Sequence, residues 1–161
     1  MAVSKRKALP FGLLAALSLS IPTLAQAHPR NIGLGVMVGA PTGLSGKAWL
    51  DEVHAIDFAV GSFGYYVGQQ YNELNVHADY LWHMFGVFGD RGSNAYSHLP
   101  LYLGVGGVFN SPSVAGVRGV MGITYLFDQP FDAFFEIAPT LVLAPGVGFG
   151  TDAGLGARYY F

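Results

Sequence analysis

Hydrophobic and polar positions alternate with a period of two through most of the chain beyond residue 31. From Val147 to Phe161, the odd positions hold Val147, Phe149, Thr151, Ala153, Leu155, Ala157, Tyr159 and Phe161. The even positions hold Gly148, Gly150, Asp152, Gly154, Gly156, Arg158 and Tyr160. Successive side chains of a strand point to opposite faces, so this pattern predicts a two-faced strand. From Glu73 to Met84 the sorting is sharper. There Leu74, Val76, Ala78, Tyr80, Trp82 and Met84 oppose Glu73, Asn75, His77, Asp79 and His83.

The same parity recurs elsewhere. Phe131, Phe135, Ile137, Leu141 and Leu143 oppose Asp132, Glu136 and Thr140. Val117, Met121, Ile123, Tyr125 and Phe127 oppose Arg118, Gly122 and Thr124, and from Leu99 to Phe109, Leu99, Leu101, Leu103, Val105 and Phe109 oppose Tyr102, Gly104 and Gly106. Ile56, Phe58 and Val60 oppose Asp57; Leu44, Ala48 and Leu50 oppose Ser45, Lys47 and Trp49; Leu34, Val36 and Val38 oppose Gly33, Gly35 and Gly39. Pro41-Thr42-Gly43, Asp51-Glu52, Asn110-Ser111-Pro112-Ser113, Asp128-Gln129-Pro130 and Pro145-Gly146 punctuate these runs as turns. About eight strands and no long helix follow.

Composition decides which face is inside. A water-washed strand carries Lys, Glu, Thr and Gln on its polar face. Here that face is glycine with a few charges of both signs, and only 11% of the chain is charged against 52% hydrophobic. Such a face suits the cramped interior of a small closed barrel, which leaves the apolar face outward against lipid. Closure also satisfies every backbone donor and acceptor there. The expected fold is therefore all-β, a closed antiparallel up-and-down transmembrane barrel of about eight strands. Trp82, Tyr125, Phe127, Tyr159 and Phe161 gather at one set of strand ends, as an interfacial aromatic girdle does.

Residues 1–27 read as a secretory signal peptide. Lys5, Arg6 and Lys7 precede an apolar run from Leu13 to Ile21, and Ala25-Gln26-Ala27 offers a small-x-small cleavage site. Pro10 and Pro22 bracket that run and keep it under the ~20 residues of a spanning helix. Residues 28–161 would then form the barrel domain. Cleavage removes three of eight basic and none of ten acidic residues, taking the net charge from −2 to −5. No basic stripe remains to displace counterions, which argues against nucleic acid as a partner. Cysteine is absent, so disulfides and thiol catalysis are excluded.

From residue 31 to 161 the chain resembles the small eight-stranded Gram-negative outer-membrane barrels, of the kind that includes OmpX and the OmpA membrane domain. The most specific stretch is Gly154-Leu155-Gly156-Ala157-Arg158-Tyr159-Tyr160-Phe161. An alternating last strand ending in Phe looks like the signal read by the barrel-insertion machinery, with Tyr159 and Phe161 as its aromatic positions. The resemblance implies a cell outer-membrane location. It also implies partners: outer-membrane lipid and lipopolysaccharide, the insertion machinery and periplasmic chaperones. It puts both termini in the periplasm, with loops near 40–43, 64–72, 109–113 and 144–147 outside. One departure stands out, because the longest connection, 86–97, falls on the periplasmic side. Either one strand pair extends beyond the membrane, or the strand count is off by a hairpin.

The inward set collects Lys47, Asp57, Glu73, Asn75, His77, Asp79, Arg118, Glu136, Asp152 and Arg158. Charges in a low dielectric must be paired, so the set is expected to form a polar network filling the lumen. A solute path would use the same residues. His77 and Asp79 share a face at a spacing that alternation alone explains, and no metal or cofactor is expected. A lipid A-modifying enzyme would need a nucleophile beside a base, but Ser62 faces lipid far from any histidine, so no catalytic centre is expected. A surface adhesin or receptor would have to use loop 64–72, with Tyr65, Tyr66, Gln69, Gln70 and Tyr71. The expected role is a structural or narrow-pore barrel.

Overall fold

The computed structural model describes residues 31–66, 69–128 and 130–161. The signal-peptide reading falls outside them, as does Gln129 of one turn. Eight strands follow in order: β1 (Ile32–Gly39), β2 (Thr42–Trp49), β3 (His54–Tyr66), β4 (Gln69–Met84), β5 (Leu101–Asn110), β6 (Val114–Leu126), β7 (Phe131–Ala144) and β8 (Gly148–Tyr160). Each pairs antiparallel with the next, and β8 pairs with β1 to close the barrel.

Register fixes its shape. The ladder partners run Gly33, Lys47, Asp57, Asp79, Gly106, Arg118, Thr140 and Gly150 around the wall. Yet Gly33 itself pairs with Tyr160, ten residues further along β8. Ten residues of stagger over eight strands tilt each strand by roughly 40°, within the range of small barrels.

The two faces sort by parity along the strands, with Gly46 of β2, buried between Ser45 and Lys47, the departure among the described residues. On β7 exposed and buried positions alternate almost without a break. The outward face is apolar, with Val105 69% and Leu155 55% exposed, whereas Lys47 and Asp132 are fully buried. The barrel wall is thus inverted relative to a water-soluble barrel: the charges within the closed ladder are inside and the aliphatic side chains outside.

The connections at 39–42, 110–114 and 144–148 and the strand ends Tyr66 and Gln69 form the upper end; Asn31 and Phe161 lie at the lower end. Two expectations are corrected. Most of the expected 64–72 loop is strand, because the β3–β4 ladder continues through Gly64–Tyr71, Tyr65–Gln70 and Tyr66–Gln69 past a bulge after Ser62; residues 67 and 68 lie outside the described residues. The long lower connection neither hides a missing hairpin nor extends a strand pair. It holds a short helix, α1 (Asn94–His98), whose first turn is capped by Ser93 Oγ accepting from the Tyr96 amide at 3.2 Å. His98 Nδ1 donates to the Leu126 carbonyl, which ties α1 to the end of β6. In the β2–β3 turn, Asp51 Oδ1 accepts from the Val53 and His54 amides at 2.8 and 2.7 Å. Those bonds, the Val53 amide foremost, hold its carboxyl below the ordinary range.

Candidate functional site: the charged interior

Three polar groups occupy the lumen, each assembled from strands distant in sequence. Arg158 on β8 centres the first. Its Nη2 donates to Asp57 Oδ2, its Nε to Ser45 Oγ at 2.9 Å, and its Nη1 faces Asp132 Oδ2 at 3.7 Å. Its guanidinium also stacks 3.8 Å over the Phe134 ring, a contact that suits a weakly hydrated planar cation. Tyr160 donates to the same Asp132 oxygen at 2.6 Å.

Arg118 on β6 centres the second group. Its Nη2 donates to Glu136 Oε1 at 2.9 Å and its Nε lies 3.3 Å from Asp79 Oδ2. Tyr102 donates to the other Glu136 oxygen at 3.2 Å. In the third group, Lys47 Nζ donates to His83 Nε2 at 2.7 Å and sits 4.5 Å over the Trp49 ring. His83 can accept there because its Nδ1 faces the Val53 carbonyl at 3.1 Å and donates to it.

Toward the lower end Trp49, Ala55, Leu126 and Tyr160 pack together as an apolar floor, with Phe85 against them. The inward glycines answer to these large side chains. A Cβ on Gly122 would overlap the Tyr102 ring, and one on Gly156 the Phe134 ring. Glycine on this face is the space that opposing side chains fill.

Of the predicted inward residues, Lys47, Asp57, Asn75, His77, Asp79, Arg118, Glu136, Asp152 and Arg158 are buried. Asp152 joins no ion pair among the described residues. Glu73 is the exception, and its assignment to the lumen is corrected: it stands exposed. Parity sets the face of a strand but not its depth. The β4–β5 ladder begins at Asn75–Asn110, so Glu73 lies beyond the closed wall. Asp132, His83, Tyr102, Tyr160 and Ser45 are partners that the candidate set omitted. Their even or odd position placed them on the inward face, but only register shows whom they meet.

Tyr159 and Phe161 point outward at the lower end, within an edge-on series running Phe131, Tyr159, Phe161 with ring centroids 5.0 Å apart. Tyr125 and Phe127 meet the same way at 4.7 Å.

Inverted faces and an ion-paired lumen define the class as a closed eight-stranded antiparallel barrel. The chain matches no family model, no curated protein and no solved structure.

Proposed function

We propose that the chain is an integral outer-membrane barrel with a structural role, exported through residues 1–27 and folded into lipid with its lumen filled. The inversion of the two faces carries this reading. An exposed Leu, Val or Phe on every strand has no partner in water, whereas hydrocarbon accepts all of them. From Phe149 on β8 to Phe161 just past its end, the outward side chains cover twelve residue steps. At a tilt of roughly 40° they rise about 30 Å, the thickness of a hydrocarbon core. The aromatic series around Tyr125, Phe127, Phe131, Tyr159 and Phe161 then sits at the lower interface. Lipopolysaccharide and phospholipid are its surroundings, and the insertion machinery and periplasmic chaperones its partners during assembly.

The apolar floor and the three polar groups favour a filled lumen over a pore. The reading includes no catalytic centre: Ser45, the buried serine of the lumen, is engaged as an acceptor for Arg158. Heat-modifiable gel mobility of an outer-membrane fraction tests the proposal. A band that shifts on boiling and resists extraction by urea is expected; a soluble band with unchanged mobility overturns it. Unaltered lipid A mass spectra on deletion and overexpression are expected in addition.

A further inference from the structure

The inward face of β4 carries Asn75, His77 and Asp79 in succession, the last of them the ion-pair partner of Arg118, each no more than 3% exposed. Neither nitrogen of His77, neither oxygen of Asp79 and neither polar atom of the Asn75 amide meets a hydrogen-bond partner. Asp79 keeps ion contacts, 3.3 Å to Arg118 Nε and 3.8 Å to His77 Nε2, but buried polar groups are nearly always satisfied, so the unsatisfied His77 and Asn75 beside it point to something that fills them.

Asp57 pairs with Asp79 across the β3–β4 ladder, which sets two carboxylates side by side. One ligand atom each from Asp57, His77 and Asp79 lies within 4.8 Å of the others. The buried interior also counts Lys47, Arg118 and Arg158 against Asp57, Asp79, Asp132, Glu136 and Asp152. Three cations face five carboxylates, an excess of two negative charges. Gly106, the β5 partner of Asp79, leaves that carboxylate room; a Cβ there would run into it.

We propose that Asp57, His77 and Asp79 bind one divalent transition-metal cation, with zinc the best match. One imidazole and two carboxylates suit zinc, whereas calcium and magnesium take all-oxygen sets. A doubly charged ion offsets the surplus of carboxylates, and Asn75 is placed one step above to accept a bond from a metal-bound water. Zinc ligands at ~2.1 Å stand about 3.4 Å apart in a tetrahedron, so the three side chains close in by about an ångström. The arginines do not forbid this. Arg118 keeps Glu136 when Asp79 turns to the metal, and Arg158 keeps Ser45 and Asp132. The site depends on the barrel interior alone, whatever surrounds the wall.

The test is zinc titration of the full chain folded in detergent and passed through metal-free buffer. One zinc per chain is expected by elemental analysis and calorimetry, uncompeted by calcium or magnesium. Cobalt in its place is expected to give the visible absorption of a low-symmetry site. His77→Gln and Asp79→Asn, each checked for the folded gel band, are expected to lower affinity roughly tenfold or more. His54→Gln and His98→Gln, which change the partly exposed histidines outside the lumen, are expected to leave it unchanged. Binding well below one zinc per folded chain overturns the proposal. So does zinc that is lost with His54→Gln or His98→Gln and kept with His77→Gln. If His77→Gln does not fold, Asp79→Asn and the wild-type cobalt spectrum decide.

Discussion

At Arg158, one guanidinium reaches Ser45 on β2, Asp57 on β3 and Asp132 on β7, and covers the face of Phe134. A cation so placed matters less for the attraction it adds than for the charges it keeps from standing alone. Burying a carboxylate without a partner costs several kcal/mol, so truncating one member of a buried pair is far worse than never having had it. Arg158→Met is therefore expected to lower stability by about 3–5 kcal/mol, read from urea unfolding of the barrel in lipid vesicles by tryptophan fluorescence. A loss within ~0.5 kcal/mol, the size of an ordinary surface change, would show Asp57 and Asp132 to be solvated instead. Gly156 tests how full the interior is. Gly156→Val pushes a side chain into the Phe134 ring and is expected to cost about 1–3 kcal/mol in the same assay. A neutral result would mean that the lumen holds spare room.

At the scale of the strand, each element has one face that wants partners of opposite charge and another that wants hydrocarbon. The outward face of β8 bears on the membrane reading most directly, because Leu155 lies midway along it, between Phe135 on β7 and Val38 on β1. Leu155→Arg is expected to destabilise the barrel in a bilayer by about 2–4 kcal/mol, and to do nothing comparable if that face met water. Equilibrium folding into lipid vesicles measures the difference. The last strand also bears on assembly. Deleting Phe161, 76% exposed at the end of the aromatic series, is expected to slow insertion and raise the periplasmic fraction in pulse-chase fractionation. Normal assembly of that truncation would separate the chain from the outer-membrane barrels that it resembles.

For the whole molecule, closure is what makes the inversion tolerable. Every strand has two ladder neighbours, so no edge is left to pair with another chain or to lie unsatisfied in lipid. The stagger of ten residues sets the tilt, and eight strands set a bore that side chains can fill. Arg118, Arg158, Tyr102 and Tyr160 rank among the largest fully buried side chains. Tyr160 packs with Trp49 and Leu126 toward the lower end. The reconstituted barrel is therefore expected to show no steady conductance in a planar bilayer. Well-resolved unit steps would mean that the floor opens.

Much of this was legible in the residue order. Strand count and the face to which each residue belongs follow from period-two alternation, because a pleated strand turns each side chain opposite to the last; which face is inside came from composition. Glycine beside sparse charges marked the inner face before any contact was known. Which charge meets which was not legible. Arg158 finds Asp57 across 101 residues of chain, through the stagger that closure imposes, and no local pattern encodes that offset. Depth was hidden for the same reason: Glu73 and Asn75 share a parity, yet only the point where β5 joins the wall makes one exposed and the other buried. Alternation is a local property of the backbone, whereas pairing, depth and the packing of the floor belong to the ring of strands as a whole.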